Sequence, residues 1–410
     1  MPQDLVLIGG GHTHAIVLKM FGIKPLPEVR LTLISDVLHA PYSGMLPGHV
    51  AGFYGYEECH IDLRSLAEFA GCQILIDRAI AIDLNKNLVI CQTHPPVNFD
   101  LLSVDIGSTP ATLSVPGAAK YAIAAKPVPQ FLASWNQLIS ERQNHLQKPL
   151  RIAIVGGGAG GVELALNMQS RLGKEEVRGK KEEGRRKREE NLEKLSSEIH
   201  LFHSGAELMP AHNHRVRRRL QEILISRGIQ LHLKEKVCAV KKIERETNPQ
   251  FPITNYQISC KSGLELECDR IFWVTQASAA NWIRESGLAA DSNGFMQVND
   301  CLQSVSHPNV FGAGDIAAMV NYPRPKAGVF AVRQGQPLFE NLQQFLLEKP
   351  LKPFAPQEQY LGLIGTGNKR AIASRGSFMW ESALLWYWKD WIDRQFMQKF
   401  SNLPKTSNTK

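Results

Sequence analysis

The chain has 410 residues, 43% of them hydrophobic and 21% charged, with a formal net charge of +8. This size allows two or three domains with sizeable cores, and the composition is that of an ordinary soluble globular protein. Its seven cysteines form neither a Cys-x-x-Cys nor a Cys-x4-Cys pair, which argues against a disulfide framework, a zinc site and an active-site dithiol. With no signal peptide and no membrane-spanning apolar run in the sequence, we expect a cytoplasmic protein; a peripheral position on the inner face of a membrane stays open.

A glycine-rich turn opens the chain. Residues 4–8 predict a buried parallel strand and residues 15–21 the helix that follows it. Between them, Gly9 and Gly11 match the first two glycines of a GxGxxG dinucleotide turn, whereas His14 replaces the third. We therefore expect that the helix lies slightly further from the strand or that His14 points outward.

Two histidines and an acid near this turn are candidate functional residues. His12 and His14 could ligate a metal, but no third ligand is visible nearby, so packing or a hydrogen bond on the phosphate side is favoured and no metal is expected. A second strand at 31–34 leads to Asp36, the candidate acid for the adenosine ribose, although Ser35 can occupy that place instead.

A second glycine turn follows a strand predicted at 150–155. Gly156, Gly158 and Gly161 match the GxGxxG pattern fully, with a strand before them and a helix after them. The first glycine permits the tight turn, the second lets backbone N–H groups approach a pyrophosphate, and the third lets helix and strand pack closely. This turn predicts a second dinucleotide site.

The choice of coenzyme at the second site is open. The strand at 199–202 ends in His203 and Ser204, where an acid would select NAD and repel the 2′-phosphate of NADP. In its absence, His203, Ser204, Arg215 or Arg217 could receive that phosphate. A relaxed site that accepts both coenzymes is an equal alternative.

Residues 174–198 form a run of mixed basic and acidic side chains between the second helix and its strand. Such runs are usually solvated loops or exposed helix extensions. Interleaved glutamates and the lack of aromatic residues in the run argue against a nucleic-acid surface, so no nucleic-acid partner is expected.

The segment 309–315 adds a third element. Its strand and turn end in Gly314 and Asp315, and this Asp can accept hydrogen bonds from the ribityl hydroxyls at the far end of a flavin. Two dinucleotide turns behind apolar strands, the first completed by this Asp, indicate an electron-transfer flavoprotein that binds FAD on one domain and a pyridine nucleotide on the other.

The predicted fold class is α/β, with two Rossmann-like dinucleotide-binding domains and a C-terminal helical segment. The NAD(P)H domain is inserted into the FAD domain. The predicted limits are 1–116 for the first part of the FAD domain, 117–148 for a crossover linker, 149–298 for the NAD(P)H domain with its charged insertion, 299–345 for the second part of the FAD domain and 346–410 for the C-terminal segment.

These elements, in this order, resemble the two-dinucleotide-binding-domain flavoproteins of the pyridine nucleotide-disulfide oxidoreductase superfamily. Within it the chain is similar to type II NADH dehydrogenases and sulfide:quinone reductases, and most of all to the NADH-dehydrogenase-like proteins that often occur fused ahead of selenophosphate synthetase. The resemblance is carried by four segments: GGGHTH at 9–14, HAPYSGMLPG at 39–48, PKAGVFAVRQG at 325–335 and WKDWIDRQFM at 388–397.

The resemblance implies a non-covalent FAD, NAD(P)H as donor and two catalytic residues. Lys326 would face the pyrimidine edge of the flavin, where positive charge stabilises the reduced anion, and Glu163 would orient the nicotinamide. Together with the turns, it gives these cofactor-binding residues: Gly9, Gly11, His12, Asp36, Tyr42, Pro47, Gly107, Ser108, Gly156, Gly158, Gly161, His203, Gly314, Asp315 and Ala327.

The implied activity is hydride transfer from NAD(P)H to FAD and onward electron transfer to a quinone or another small acceptor. In the motif that carries glutamines in type II NADH dehydrogenases, this chain has Val329 and Arg333 and retains Gln334. A redox-sensing or accessory flavoprotein linked to selenium metabolism is the first alternative. A sulfide:quinone reductase-like oxidase is the second, which the cysteine positions disfavour.

The tail, residues 377–400, combines apolar and aromatic residues with basic ones. Leu384, Trp388, Trp391 and Ile392 fall on one face of a predicted helix, and Lys389 belongs to the basic set. The resemblance implies peripheral contact with a membrane. Packing on the flavin domain or a homodimer interface is the alternative.

Overall fold

A computed structural model describes residues 2–110, 115–144, 150–182, 197–243, 255–275 and 277–404 of the chain. It contains two five-stranded parallel sheets with helices against them. Strands of such sheets read as continuous apolar runs because both faces are covered. In spatial order, the first sheet comprises Val310–Gly312, Leu101–Val104, Gln3–Ile8, Val29–Ser35 and Gln73–Ile76.

The second sheet has the same architecture. Its central strand is fully apolar on its buried side, and both of its neighbours pair with it in parallel. In spatial order, the strands are Ile123–Ala124, Arg270–Trp273, Arg151–Val155, Glu198–His203 and Gln230–Leu233.

The structure also contains smaller sheets of two or three strands. Three of them have three strands: Ala79–Asp83 with Leu88–Cys91 and Val97–Asn98; Val237–Ile243 with Asn255–Cys260 and Glu265–Cys268; and Gly362–Gly365 with Ala371–Arg375 and Phe378–Ser382. Three have two strands: His39–Pro41 with His60–Asp62, Thr109–Pro110 with Ala277–Ser278, and Met296–Val298 with Ala317–Met319.

The helices surround the two large sheets. Their α-helical segments are His12–Ile23, Leu46–Val50, Leu63–Phe69, Ala118–Tyr121, Val128–Asn144, Ala159–Glu182, His214–Ser226, Trp282–Glu285, Gly328–Leu346 and Ala383–Ser401. Short 3-10 turns lie at Glu57–Cys59 and Gly314–Ile316.

Close helix packing stabilises the first sheet. A Cβ atom at Gly335 would lie 2.7 Å from Ile16, so the helices His12–Ile23 and Gly328–Leu346 approach at a distance that only glycine allows. Phe21 and Phe339 meet edge to face between the same helices, with ring centroids 5.0 Å apart. Both helices begin at the edge of the sheet where its parallel strands end, which places their N-termini at one site.

The sequence predictions for the strands and helices at both glycine turns agree with these bounds. Two features differ, and the charged run, where it is described, agrees with the expected helix extension. Residues 123–124, assigned to the crossover linker, form an edge strand of the second sheet. The C-terminal segment contains a three-stranded sheet ahead of its helix, which the sequence did not predict. The charged run begins inside the helix Ala159–Glu182, and its residues 183–196 lie outside the described part of the chain.

Within the described ranges, no helix is both long enough and apolar enough to cross a membrane.

Candidate functional site

The first glycine turn lies against the end of the strand Leu101–Val104. Gly9 has a positive φ of 90°, and a Cβ there would lie 2.4 Å from the backbone oxygen of Asp105. A Cβ at Gly11 would lie 2.3 Å from the carboxylate of Asp105. Both positions therefore require glycine, the first for its backbone conformation and the second for the space that Asp105 takes.

His14 points into the protein, so of the two alternatives the outward-pointing one is wrong. Its ring is fully buried, with Nδ1–H donating to the Gly9 carbonyl at 2.7 Å and Nε2 meeting the Ser103 hydroxyl at 2.8 Å. Burial lowers the pKa of His14 to about 4, so the ring is neutral. It ties the helix to the sheet where a third glycine would have allowed direct packing.

His12 is also bound by protein groups. Its Nε2 lies 3.3 Å from the Pro41 carbonyl, and its ring meets Tyr42 edge to face. Burial lowers its pKa as well. No cluster of metal ligands occurs among the residues whose placement is described, so nothing there supports the metal alternative for the two histidines.

Asp315 lies in a group of three polar side chains at the far end of the first sheet. Ser108 donates to its carboxylate at 3.1 Å, and the Lys126 ammonium donates to Asp315 at 2.8 Å and to Ser108 at 2.9 Å. Although burial favours the neutral acid, the charge and hydrogen bond of Lys126 hold the pKa of Asp315 below its ordinary value. Asp315 is therefore ionised and ready to accept hydrogen bonds.

Gly314 connects this group to Asp105. Its φ is 68°, and a Cβ there would lie 2.3 Å from the Oδ1 atom of Asp105. The buried Gln334 holds the turn by accepting the Gly314 N–H at 2.7 Å. This glutamine, retained from the quinone-side motif, is thus engaged in fixing the Asp315 turn.

The residues present fit a flavin dinucleotide. A Cβ at Gly107, whose φ is 70°, would meet no atom within 4 Å, so the backbone beside Ser108 borders open space. Ser108, next in the chain, hydrogen-bonds to both the ionised Asp315 and the Lys126 ammonium, and the backbone of the first glycine turn lies against Asp105, two residues before Gly107. Amides and a cation suit phosphates, and a carboxylate suits the hydroxyls of a ribityl chain.

Asp36 follows the strand Val29–Ser35 directly and is partly exposed. Its carboxylate forms an ion pair with Arg78 at 2.7 Å, while Ser35 hydrogen-bonds to the Val37 carbonyl. The position at the strand end is the one expected of a ribose-binding acid, with Arg78 holding the carboxylate in place.

Lys326 precedes the helix Gly328–Leu346, which begins after Ala327. Its ammonium donates to the Ala317 carbonyl at 2.6 Å and lies 3.9 Å from the centroid of the Phe295 ring. Burial lowers the pKa of Lys326 to about 8, so it stays mostly protonated at neutral pH. It is near enough to Asp315 for the two charges to influence each other.

The second glycine turn combines a closed side and an open side. A Cβ at Gly156, whose φ is 129°, would lie 2.4 Å from the Val274 carbonyl, and one at Gly161 would lie 1.7 Å from the Gly156 carbonyl. A Cβ at Gly158 would meet no atom within 4 Å. The glycines thus pack strand against helix on one side and leave room for a ligand on the other, which fits a pyridine dinucleotide.

Thr275 supplies an unpaired polar atom at this turn. Its backbone nitrogen would lie 3.1 Å from a Cβ at Gly156. Its hydroxyl is shielded from solvent and has no partner among the described residues. Because buried hydroxyls normally have hydrogen-bond partners, this atom also suits a site completed by a ligand.

His203 ends the strand Glu198–His203 and packs against the second turn. A Cβ at Gly157 would lie 2.7 Å from its ring, and burial lowers its pKa. A neutral ring gives the 2′-phosphate of NADP less attraction than a cation would. Arg217 is engaged by an ion pair with Glu207.

Tyr42 and Glu163 meet the C-terminal helix in a cluster of buried charges. The Tyr42 hydroxyl donates to Asp393 at 3.1 Å, and Lys389 donates to both Asp393 and the Gly44 carbonyl at 2.6 Å. The Glu163 carboxylate accepts the Gly365 N–H at 2.7 Å; burial raises its pKa, and the charge of Lys389 opposes that rise. Lys389 therefore lies inside the protein and is not part of an outer basic face.

Pro47 lies in the short helix Leu46–Val50, between the two domains. The flanking Leu46 and Val50 pack in the core of the second sheet, while Tyr42 stacks on Phe396 of the C-terminal helix at 4.5 Å. The segment 42–50 thus joins the first glycine turn, the second domain and the C-terminal helix.

Sequence reasoning missed four residues that the structure brings to these sites: Asp105, Lys126, Thr275 and Lys389. Asp105 directly follows the strand Leu101–Val104 and Thr275 lies two residues after the strand Arg270–Trp273, and no motif marked either of them. Lys126 and Lys389 contact groups 189 and 345 residues away in sequence, so no local motif could reveal them.

Comparison with known proteins agrees with this geometry. The profile of the pyridine nucleotide-disulphide oxidoreductase family matches residues 3–335. Ferroptosis suppressor protein 1 of Xenopus tropicalis is 25% identical over 362 residues, which are 86% of this chain and 83% of that protein. The NADH dehydrogenase-like protein YutJ of Bacillus subtilis is 22% identical over 399 residues, which are 94% of this chain and 99% of that protein.

Among solved structures, NDH2 from Plasmodium falciparum in complex with NADH superposes with a TM-score of 0.78 at 15% identity, covering 98% of this chain and 99% of that one. This likeness and the family match confirm the predicted α/β fold class.

Proposed function

The chain belongs to the pyridine nucleotide-disulphide oxidoreductase family, and we propose that it moves a hydride from NAD(P)H to FAD and passes the electrons to a quinone. The predictions of an FAD-dependent oxidoreductase and of NAD(P)H as its second cofactor are confirmed by the family match and by the similarity to NADH dehydrogenase-like proteins. The observation that carries the proposal is the pair of glycine turns, with open space at Gly107 after the strand beside the first turn and at Gly158 in the second turn, and with the segment 42–50 linking the two domains.

When bound, the flavin supplies the redox chemistry, because it accepts the hydride and releases electrons to the acceptor. The chain contributes position and charge. We assign Gly9, Gly11, Ser108 and Asp315 to holding the FAD, and Lys326 to placing a positive charge near the flavin. The remaining assigned binding residues are Asp36, Tyr42, Pro47, Gly107, Gly314, Ala327 and the backbone of His12 for FAD, and Gly156, Gly158, Gly161 and His203 for NAD(P)H.

Glu163 has a different part in this proposal. Its buried carboxyl is fixed by Gly365 and sits near Lys389 and Asp393, and Asp393 in turn holds the Tyr42 hydroxyl. Glu163 lies near the start of the helix Ala159–Glu182, which follows the second turn. We assign to it the role of positioning the nicotinamide.

The test is an anaerobic titration of the purified holoprotein with NADH and with NADPH, followed by the visible flavin spectrum. Bleaching by either donor is expected, and the donor with the lower half-saturation is the preferred coenzyme. A flavin that stays oxidised in excess of both donors would refute hydride transfer and favour a sensing or accessory role.

The acceptor site that we propose is a groove of about 1070 Å³ between the helix Ala383–Ser401 and residues 56–69. Apolar residues that include Ile61, Phe69 and Phe400 line it together with charged ones that include Glu68 and Arg394. Phe400 lies one helical turn from Phe396, which stacks on Tyr42. Steady-state turnover with a soluble quinone tests the acceptor. Replacing the exposed groove residue Ser401 by Trp, which fills the groove, is expected to raise the KM for quinone and leave flavin bleaching by NAD(P)H unchanged; equal effects on both would refute the assignment.

A surface of exposed apolar side chains supports docking to a membrane. Its members, here called the aromatic surface, are 37–69% exposed: Phe378, Trp380, Leu384, Tyr387, Trp388, Trp391 and Ile392. The opposite face of the same helix, with Leu385, Phe396 and Phe400, is buried against the body of the protein. Soluble proteins rarely leave so many large apolar side chains exposed together, and tryptophan and tyrosine are typical of membrane interfaces.

Co-sedimentation with anionic liposomes tests this part of the proposal. The double variant Leu384→Glu/Trp391→Glu is expected to abolish binding, whereas Gln398→Glu, exposed on the same helix, is expected to retain it. If liposome binding is unchanged but light scattering shows that a dimer has become a monomer, the aromatic surface is a homodimer interface instead.

The cysteines argue against the sulfide:quinone reductase-like alternative. All seven are free and five are buried. Burial raises the pKa of Cys59, Cys72, Cys260 and Cys268 to about 12, which keeps these thiols protonated and weakly nucleophilic.

A further inference from the structure

Asp105 places a buried carboxyl group where the helix His12–Ile23 begins. It directly follows the strand Leu101–Val104 and is 3% exposed. Its Oδ2 atom accepts the backbone N–H groups of Thr13 at 2.9 Å and His14 at 3.1 Å. These amides belong to the first turn of the helix, the region that a dinucleotide turn offers to a pyrophosphate.

The two oxygens of this carboxyl group have different surroundings. Oδ2 is engaged by the two amides, whereas Oδ1 is directed at the Gly314 turn, where a Cβ would lie only 2.3 Å away. Both amides can be satisfied by Oδ2 alone, in the ionised acid or in the neutral one. Oδ1 is therefore the atom that can carry a proton without disturbing the helix.

We propose that Asp105 makes FAD binding proton-coupled: the carboxyl group takes up a proton on Oδ1 when FAD binds and, as a neutral acid, donates a hydrogen bond on the phosphate side of the site. Ionised, the same group would place a buried negative charge beside the negative charges of the pyrophosphate, where charges interact strongly. Neutral buried carboxylic acids act as hydrogen-bond donors to anions in other enzymes.

The charges around Asp105 point the same way. Burial, with a smaller contribution from the negative charge of Asp315, raises the pKa of Asp105 to about 7, although the hydrogen bonds from the His14 and Thr13 amides lower it. The titratable groups that face this region from the surrounding elements are His12 and His14 on the helix, Asp315 on the Gly314 turn, Lys126 from the crossover and Lys326 beside Asp315.

The direction of the pH dependence follows from this arrangement. An anionic ligand raises the pKa of Asp105 further, so the bound state holds more protons than the free protein. FAD affinity is then constant below the pKa of the free protein, at about 7. Above it, the dissociation constant rises by up to about tenfold per pH unit until the pKa of the bound state is reached.

The experiment compares FAD release from the wild-type holoprotein and from Asp105→Asn. Free FAD is measured by its fluorescence at equilibrium between about pH 6 and pH 8. Asparagine can accept the two amides through its oxygen and donate from its nitrogen, so it imitates the protonated acid without titrating. For the wild type the dissociation constant is expected to rise from about pH 7. For Asp105→Asn only the smaller rise caused by Lys326 near pH 8 is expected, and at pH 8 its dissociation constant should be about tenfold lower than that of the wild type.

Asp100→Asn is the matched control, because Asp100 precedes the same strand at its opposite end and is exposed. It is expected to keep the wild-type pH dependence. Lys326 also loses its proton near pH 8, but it is present in all three proteins, so its contribution cancels in the comparison. A wild-type dissociation constant that does not change with pH, or a slope in Asp105→Asn as steep as that of the wild type, would overturn the proposal.

A second measurement does not depend on the variant folding. Calorimetric titration of wild-type protein freed of its flavin is performed with FAD at about pH 7, where Lys326 is still mostly protonated, in two buffers of different ionisation enthalpy, which counts the protons taken up on binding. Uptake of about half a proton is expected, because Asp105 is about half ionised at that pH before FAD binds. A count near zero would overturn the proposal even if Asp105→Asn could not be purified.

Discussion

Replacing Lys389 by methionine is expected to loosen the C-terminal helix from the rest of the protein. The Lys389 ammonium donates to Asp393 and to the Gly44 carbonyl, both at 2.6 Å. The side chains of Lys389 and Asp393 are 15% and 6% exposed. Methionine keeps the volume of the stem but leaves Asp393 buried with no cation beside it.

The structure sets the size of this effect. Removing one partner of a buried ion pair costs about 3–5 kcal/mol. Because the Tyr42 hydroxyl still donates to Asp393, we expect the lower end, about 3 kcal/mol. If the loss falls on local opening of the helix Ala383–Ser401, its amides should exchange with deuterium about 100-fold faster, since about 1.4 kcal/mol corresponds to a factor of ten.

Hydrogen exchange read by mass spectrometry on peptides from the helix Ala383–Ser401 measures the effect. Lys399→Met, exposed on the same helix, is the control and should leave exchange unchanged. Adding Asp393→Asn to Lys389→Met removes the unpaired charge and should restore most of the protection. Acceleration below about threefold in the single variant would mean that the pair contributes little, as exposed pairs do, and would refute the reasoning.

Four further substitutions have expected outcomes. Lys126→Met removes the cation that holds Asp315, so we expect at least tenfold weaker FAD retention, measured by fluorescence after dilution. Gly158→Ala should fold normally but bind NAD(P)H at least tenfold more weakly, because the added methyl group enters the open side of the turn. Gly161→Ala should instead lower the melting temperature, because its Cβ would lie 1.7 Å from the Gly156 carbonyl. Thr275→Val should weaken coenzyme binding by about tenfold, or about 1.4 kcal/mol, in equilibrium titration and leave FAD content unchanged.

Local sequence patterns were sufficient for the elements whose physical requirements are local. The turns at Gly9 and Gly156 follow from apolar strands, positive φ values and helix N-termini that lie within a few residues of one another. The three-stranded sheet at Gly362–Gly365, Ala371–Arg375 and Phe378–Ser382 was missed, because short strands rich in glycine and polar residues show little alternation and are stabilised by partners elsewhere.

The same reasoning explains the outcome for the C-terminal helix. Its apolar periodicity was visible, but periodicity alone could not say which of two apolar faces is covered. The structure buries Leu385, Phe396 and Phe400 and leaves Leu384, Trp388 and Trp391 exposed. It also turns Lys389 inward, because the buried Asp393, four residues later on the same helix, provides its counter-charge.

Two departures from the dinucleotide pattern at the first turn form one structural unit. The sequence showed His14 in place of a glycine and, separately, Asp105 at the start of the turn before Gly107. In the structure both side chains lie between the helix His12–Ile23 and the first sheet: His14 hydrogen-bonds to Gly9 and Ser103, and Asp105 accepts two helix amides. The gap that a histidine opens between helix and strand is thus bridged by polar contacts on both sides. One of the residues that make these contacts, Asp105, is a titratable acid beside the position of the phosphates. This arrangement therefore links FAD binding to pH.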